Sequence, residues 1–198
     1  EVYQALDSRL HQLKEEGTPV DTITFSGNGE PTMHPAFPDI ISFTLELRDK
    51  LYPSAKVSVL TNATQLGKPQ VREALQKIDN PILKIDSPIE WMVQAINIPD
   101  KSYSLEKTIE NIKLFNSNFI LQTMFLKGVE QGVEIDCTNP EHVEKWRNLV
   151  RELSPREVMM YTIDRETPAK ELRKVTVEEM EAIAAPLKEE GFNIQIRG

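Results

Sequence analysis

A short polar segment, Ser-Gly-Asn-Gly-Glu-Pro-Thr at 26–32, carries the densest set of groups that could bind a ligand. Gly27 and Gly29 allow positive φ angles or a close approach of the backbone to a ligand. Carbonyl oxygens of such a turn could accept hydrogen bonds from an ammonium group, and Glu30 adds a negative charge. Asn28-Gly29 is also an ordinary hairpin-turn sequence. A hairpin turn leads into a second strand, whereas this one leads into a proline-rich stretch, which favours a binding loop.

Four further polar residues follow apolar segments in the same way: Asn62, Lys84, Asp86 and Gln122. Lys84 and Asp86 are two residues apart, so on a strand they project to one side. They could position hydroxyl and carboxylate groups of a ligand, or form a structural ion pair, and the residues leave both open. Gln122 needs hydrogen-bond partners if it is buried, which makes it a stronger candidate than its neighbour Met124, a typical core residue.

Histidine and cysteine give weaker signals. His11, His34 and His142 are scattered, and no two of them have metal-ligand spacing on one element. We expect His11 and His142 on helix surfaces and His34 anchoring its loop. Cys137 precedes a helix N-terminus, which could lower its pKa, but no acid–base partner is evident beside it.

The elements that must position these groups alternate regularly along the chain. Hydrophobic periodicity and cap residues predict helices over 2–16, 39–51, 69–78, near 89–96, 105–115, from Pro140 after the cap Asn139, and 177–190. Strands are predicted over 21–26, 56–61, 82–86, 119–126, 157–163 and 192–197. Strand–helix alternation indicates a parallel sheet with right-handed crossovers, either open and doubly wound or part of a barrel. Ligands of such folds bind at the carboxyl ends of the strands, where the polar residues above are found.

Composition limits the class of protein. The chain has 198 residues, 39% hydrophobic and 27% charged, and no shift in composition marks a second domain, so we expect one domain over 1–198. A net charge of −8 disfavours nonspecific nucleic-acid binding. The single cysteine excludes a disulfide framework and favours the cytoplasm. No membrane span or signal peptide is visible. The first residue is not Met, so we expect the chain to begin inside a longer protein.

Five segments, taken in order, resemble the strand ends of radical S-adenosylmethionine (SAM) enzymes. Ile23–Thr32 followed by His34-Pro35 resembles the second-strand segment, whose Gly-Gly-Glu motif matches the Gly/Glu turn here. The others are Leu60–Ala63, Leu83–Ser87, Gln122–Gly128, and Tyr161–Arg165 with Pro168-Ala169. The last two are similar to a subgroup of Fe–S oxidoreductases related to wybutosine-forming tRNA enzymes and, more distantly, to glycyl-radical activating enzymes. Asn28 and Ala63 stand where that family usually has Gly.

The resemblance implies a SAM site and a reaction. Gly27, Asn28, Gly29 and Glu30 would bind the SAM amino group. Lys84, Asp86 and Gln122 would serve its ribose or carboxylate, Asn62 would lie on the same rim, and Tyr161 and Thr162 would lie near adenine. A reduced [4Fe–4S] cluster would cleave SAM to a 5′-deoxyadenosyl radical that abstracts hydrogen from a substrate. The reductant would be of the flavodoxin or ferredoxin class.

One departure from the family is large. Its cluster is held by Cys-x-x-x-Cys-x-x-Cys after the first strand, and this sequence lacks that motif. We therefore expect an incomplete parallel (β/α)6 barrel without its first strand, with no metal ligands of its own and inactive alone. The alternative is a cluster-free α/β barrel that binds a small molecule or partner without catalysis. The substrate stays open: the parent protein could modify RNA or activate a partner protein, although the charge argues against extensive RNA contact.

Overall fold

The computed structural model describes residues 1–27, 29–130, 132–163 and 171–198. Asn28, one of the predicted SAM contacts, and the predicted motif residues at 164, 165, 168 and 169 lie outside these ranges. Its helices are α1 (Val2–Glu15), α2 (Phe37–Leu51), α3 (Pro69–Lys77), α4 (Glu90–Asn97), α5 (Leu105–Lys113), α6 (Pro140–Leu153) and α7 (Val177–Glu189). Its strands are β1 (Thr22–Phe25), β2 (Lys56–Thr61), β3 (Asn80–Lys84), β4 (Ile120–Met124), β5 (Leu126–Glu130), β6 (Val133–Asp136), β7 (Glu157–Tyr161), β8 (Leu172–Lys174) and β9 (Ile194–Arg197). A single 3₁₀ turn covers Pro31–Met33.

Six of these strands form one parallel sheet in the order β1-β2-β3-β4-β7-β9. β1 pairs in parallel with β2, β4 with β7, and β7 with β9. Within the described residues, β1 and β9 are edge strands, so the sheet is not closed into a barrel. The predicted α/β fold with an incomplete parallel barrel is confirmed.

The chain forms two compact units, Glu1–Ile82 and Leu83–Gly198. In the first, an apolar core forms where α1 and α2 cover β1, with Leu10, Ile23 and Leu47 buried together. In the second, Trp146 of α6 is completely buried, packs edge-on against Phe125 at 5.1 Å between ring centroids, and donates its indole N–H to Thr123 Oγ1. The single-domain organisation expected for 1–198 stays a prediction. No described helix has both the length and the apolar character needed to cross a membrane.

The predicted strand over 119–126 is two strands. β4 ends at Met124, and β5 begins at Leu126 in a second, antiparallel sheet of order β6-β5-β8. Phe125 joins the two sheets, because its N–H donates to the Tyr161 carbonyl while its own carbonyl accepts from Thr162 Oγ1. Gly128 makes the second sheet possible: a Cβ there would lie 2.1 Å from the Glu171 carbonyl oxygen. The apolar run 119–126 hid this break, since it reads as one strand.

Candidate functional site

Glu30 is the centre of a hydrogen-bond cluster in the unit Glu1–Ile82. Its Oε1 accepts from the Thr32 N–H at 3.1 Å and from the Thr32 and Thr61 hydroxyls, each at 2.5 Å. Its Oε2 accepts from the Asn62 N–H at 2.7 Å. Thr32 and Thr61 are 2% and 1% exposed. The carboxylate therefore ties the loop after β1 to the carboxyl end of β2, and three of its four bonds converge on one oxygen.

The turn before Glu30 keeps an open side. Gly27 and Gly29 have φ angles of +138° and +128°, which favour glycine, and a Cβ at either position would meet no other atom within 4 Å. The Gly29 N–H donates to the Gly27 carbonyl at 3.0 Å. The backbone of the turn therefore has room for a ligand, whereas the Glu30 carboxylate is occupied within the protein.

The end of β2 has a local architecture of its own. Asn62 Oδ1 accepts from the Thr64 N–H and hydroxyl, which stabilises a tight turn. Ala63, at the position where the motif that this segment resembles usually has glycine, has a φ of +63° and is buried. That conformation costs a non-glycine residue about 1–2 kcal/mol, so the backbone shape is kept despite the substitution.

Lys84 and Asp86 form an ion pair in the unit Leu83–Gly198, with Lys84 Nζ 2.8 Å from Asp86 Oδ2. The Asp86 side chain is fully buried, and that of Lys84 is 26% exposed. Asp86 Oδ1 accepts from the Met124 N–H at 3.2 Å, while Oδ2 receives no hydrogen bond of normal geometry from the described residues. A buried carboxylate oxygen thus retains capacity to accept a hydrogen bond.

Electrostatics connects this pair to Tyr161. Burial lowers the pKa of Lys84, but the Asp86 carboxylate and the Tyr161 hydroxyl outweigh it, so the net change is upward. Burial raises the pKa of Tyr161 to about 12, with the Asp86 charge adding to the increase and Lys84 opposing it. Lys84 is therefore charged and Tyr161 neutral at pH 7, and the phenol can donate or accept a hydrogen bond.

Gln122 lies on β4, beside the segment that follows β3. The Ile85 N–H donates to the Gln122 backbone carbonyl at 3.0 Å. Its side-chain Oε1 is buried and has no hydrogen-bond partner among the described residues. A buried polar atom without a partner costs about 1–3 kcal/mol, and such atoms in folded proteins call for an explanation. Gln122 thus meets the condition under which the sequence made it a candidate.

Thr162 differs from these residues. Its Oγ1 donates to the Phe125 carbonyl at 2.9 Å and accepts from the Val175 N–H at 3.0 Å, and the residue is 3% exposed. The hydroxyl holds the junction of the two sheets together. Its predicted place near adenine stays a prediction. In the structure, both hydrogen bonds of its hydroxyl are made within the protein.

His142 is buried and not, as expected, on the surface of its helix. It is 1% exposed, with Nε2 3.2 Å from Ser87 Oγ and its ring edge-on to Phe125. Burial lowers its pKa to about 4, although the Cys137 backbone carbonyl opposes that change. The expectation failed because it considered α6 alone, and the β5–β6 excursion that brings Cys137 beside the helix was not foreseen.

Tyr103 is a neighbour of the Asp86 cluster that sequence reasoning missed. Burial raises the pKa of its phenol, and the charges of Glu90 and Asp86 add to that effect. The residue falls in the stretch 87–116, where the sequence pattern was weakest. No motif marks it, so only its place in the fold connects it with Asp86.

The described residues contain no group of three or more His, Cys, Asp or Glu side chains placed to hold a metal ion. Cys137 is fully buried, and burial raises the pKa of its thiol to about 12. A [4Fe–4S] cluster needs several thiolate ligands, so the residues of this chain do not fit that group.

Comparison with known proteins shows relatives of the sequence and of the fold. No protein-family model matches. UPF0026 protein slr1464 of Synechocystis is 37% identical over 119 residues, which cover 58% of this chain and 43% of that protein. UPF0026 protein MJ1312 of Methanocaldococcus jannaschii is 27% identical over 195 residues, covering 96% of this chain and 56% of that protein. The chain thus spans about half the length of these curated relatives.

Solved structures share the fold over nearly the whole chain. SuiB of Streptococcus suis, crystallised with S-adenosylmethionine, has a TM-score of 0.68 at 17% identity and covers 99% of this chain, which spans 43% of SuiB. A domain of pyruvate-formate lyase-activating enzyme from Bacteroides vulgatus has a TM-score of 0.61 at 14% identity, covering 90% of this chain and 99% of that domain. The chain therefore shares the fold of these two proteins.

Proposed function

We propose that this chain is the SAM-binding core of a radical SAM enzyme. The observation that carries the proposal is the buried Gln122 Oε1, which lacks a hydrogen bond from the described residues. Asp86, whose Oδ2 meets only the Lys84 ammonium at 2.8 Å, follows the neighbouring strand β3, and ligands of parallel α/β folds bind at the carboxyl ends of the strands. SuiB, which shares the fold, was crystallised with SAM.

The chemistry of SAM suits these atoms. Its ribose hydroxyls and ammonium group are hydrogen-bond donors, and its sulfonium carries a positive charge. Asp86 and Gln122 would accept hydrogen bonds from the ribose, and the Lys84 ammonium would meet the SAM carboxylate. Tyr161, neutral at pH 7, would border the adenine. A ligand that donates to Gln122 Oε1 would remove the cost of leaving that atom buried without a hydrogen bond.

The Gly/Glu turn has a separate role in the proposal. Carbonyl oxygens of residues 27–29 would bind the SAM ammonium group, and Glu30 would hold the backbone of the turn in place through its bonds to Thr32, Thr61 and Asn62. The open space beside both glycines supports a backbone contact.

The cluster belongs to the longer parent protein in this proposal. A [4Fe–4S] cluster, which a flavodoxin or ferredoxin would reduce, would require cysteine ligands from outside this chain. The residues of this chain bind and orient SAM and exclude water from it. That the chain spans about half of its relatives supports a division of this kind. A cytoplasmic location and weak interaction with nucleic acids stay predictions.

The substrate class is a further part of the proposal. SuiB was also crystallised with its precursor peptide, so a fold of this type accommodates a peptide in at least one protein. A non-catalytic binding module is the alternative, and the same two acceptor atoms would serve it. Only the SAM selectivity of the site separates the two.

Titration calorimetry of the folded chain with SAM tests the proposal. Gln122→Leu and Asp86→Asn should each weaken SAM binding about tenfold, the value of one charge-assisted or buried hydrogen bond. Gln195→Leu on the exposed face of β9 and Glu178→Gln at the exposed start of α7 are matched controls and should leave the affinity unchanged.

Two outcomes would contradict the proposal. One is absence of SAM binding to the folded chain at millimolar concentration. The other is binding that Gln122→Leu and Asp86→Asn leave unchanged while circular dichroism shows both variants folded, because the two acceptors would then have no part in the site.

A further inference from the structure

A pocket of about 320 Å³ lies within the unit Leu83–Gly198, between α4, β6 and the first turns of α6. Its lining includes Trp91, Met92, Glu134, Asp136, His142 and Lys145. Nothing in the proposed SAM site uses these side chains. The pocket nevertheless adjoins that site along the chain, because Ser87, which contacts His142, directly follows Asp86.

The charges of the pocket leave it net negative. Lys145 is neutralised by Glu141, with Nζ 2.7 Å from Oε1. Glu134 is exposed and forms no ion pair within the described residues. Asp136 Oδ1 accepts from the Thr138 N–H and hydroxyl, which fixes the direction of its carboxylate without neutralising it. Two carboxylates on β6 therefore line the pocket without an ion pair to any of the described residues.

Trp91 adds an aromatic surface to this negative site. Its side chain is 48% exposed on α4, whereas Trp146, the other tryptophan, is completely buried. The face of an indole is the best aromatic surface for a cation. Carboxylates together with an indole are a recognition set for an organic cation.

His142 provides a polar but uncharged wall. It is 1% exposed, and its Nδ1 receives and makes no hydrogen bond of normal geometry within the described residues. With a pKa of about 4 the imidazole is neutral at pH 7, so it does not repel a cation. A buried ring nitrogen that lacks a hydrogen bond of normal geometry is a second indication that a ligand completes the pocket.

We propose that this pocket binds an alkylguanidinium or alkylammonium group. The indole of Trp91 would cover the cation, Glu134 and Asp136 would balance its charge, and the apolar wall at Met92 would contact its alkyl chain. The assignment of this cation to the substrate rests on the proposed function, whereas the proposal of a cation site does not.

The test uses three small probes: butylguanidinium, butylammonium and the neutral butylurea, which has the shape of butylguanidinium without its charge. The indole N–H resonance of Trp91 reports binding by nuclear magnetic resonance, and that of buried Trp146 is an internal reference. Eight non-hydrogen atoms make a dissociation constant of order millimolar the expectation for butylguanidinium. Butylurea should bind at least fivefold more weakly than butylguanidinium, and added salt should weaken the binding of butylguanidinium.

Variants locate the site. Butylguanidinium should bind at least threefold more weakly to Trp91→Ala and to Glu134→Gln. For Trp91→Ala, which lacks the reporter indole, the backbone amides of β6 report binding. The control Glu110→Gln, at an exposed position on α5, should not change the affinity. Equal binding of butylurea, or an unchanged affinity in Glu134→Gln, overturns the proposal. The same sample titrated with SAM separates the two proposals: cation binding without SAM binding would keep the pocket and remove its assignment to the substrate of a SAM enzyme.

Discussion

Glu30 and Asp86 are both carboxylates that follow a strand of the parallel sheet, and the sequence assigned both to the same ligand, yet their surroundings differ. Glu30, in the first unit, accepts four hydrogen bonds from Thr32, Thr61 and Asn62. Asp86, in the second, accepts one from Met124 and pairs with Lys84, and one of its oxygens keeps unused acceptor capacity. The first carboxylate receives four hydrogen bonds from the protein, whereas the second receives one hydrogen bond and one ion pair.

The difference indicates how each residue can serve a ligand. A satisfied carboxylate acts through the backbone that it holds, so its removal should first cost stability. A carboxylate with a free acceptor can contact the ligand itself, so a change there should first cost affinity. The buried Oε1 of Gln122 strengthens the second case, because that atom makes no hydrogen bond to the described residues.

The largest effect is expected at Glu30. Glu30→Ala leaves the buried Thr32 and Thr61 hydroxyls and the Asn62 N–H without their acceptor, so the free energy of unfolding should fall by about 3 kcal/mol. Urea denaturation measures it, with Glu46→Ala on the exposed face of α2 as control. Glu30→Ala should also weaken SAM binding about tenfold. A variant as stable as the parent but weaker for SAM would reverse the comparison and make Glu30 a direct contact.

His142 sharpens the comparison because, like Asp86 and Gln122, it has a buried side-chain atom that receives or makes no hydrogen bond of normal geometry within the described residues. Its pKa is about 4 in the folded chain, against about 6.5 when unfolded, so protonation favours unfolding. Its stabilising contribution is complete above about pH 6.5 and is lost as the pH falls toward 4. The difference between the two pKa values corresponds to about 3 kcal/mol of unfolding free energy.

The free energy of unfolding of the parent and of His142→Phe, measured by denaturation at pH 7 and pH 5, checks this contribution of His142. The stability of the parent should fall by about 2 kcal/mol between these values through this residue, and the variant should lose that part of the pH dependence. The pKa of Asp79 is lowered to about 2 by the Val57 N–H, Lys56 and Arg48, against the effect of burial. Titration of Asp79 therefore changes the stability only below about pH 4. Equal pH slopes in the two proteins would show that His142 is accessible to protons when folded.

Thr162→Val should have a smaller effect. The change removes the hydroxyl that joins the Phe125 carbonyl to the Val175 N–H, so the free energy of unfolding should fall by about 1 kcal/mol. SAM affinity should not change, since the Oγ1 atom has its partners within the protein. A loss of SAM affinity without a loss of stability would return Thr162 to the ligand site and weaken the rule that satisfied side chains act on the fold.

The smallest effect on stability is expected at Gln122. Replacing a buried amide whose oxygen has no partner by leucine should leave the free energy of unfolding unchanged or raise it by up to about 1 kcal/mol. Thermal denaturation of the ligand-free chain detects the sign. A loss above 2 kcal/mol would mean that the amide is structural, and the contrast between the two regions would disappear.

The sequence by itself determined the order of elements and the parallel sheet. Periodicity is a local property, and capping residues such as Thr176 with Glu179 mark helix starts, which the structure shows as a reciprocal pair of hydrogen bonds. The ion pair of Lys84 and Asp86 could also be foreseen, because two residues two apart on a strand share one side. These features need only neighbours along the chain.

Tertiary structure decided the rest. Whether Glu30 or Asp86 has a free oxygen depends on donors 31 and 38 residues away, Thr61 and Met124. The burial of His142 depends on the excursion through β5 and β6, and the break at Phe125 depends on its bonds to β7 and Thr162. Hydrogen-bond satisfaction and desolvation are set by which distant segments meet, and no local pattern of apolar and polar residues encodes that.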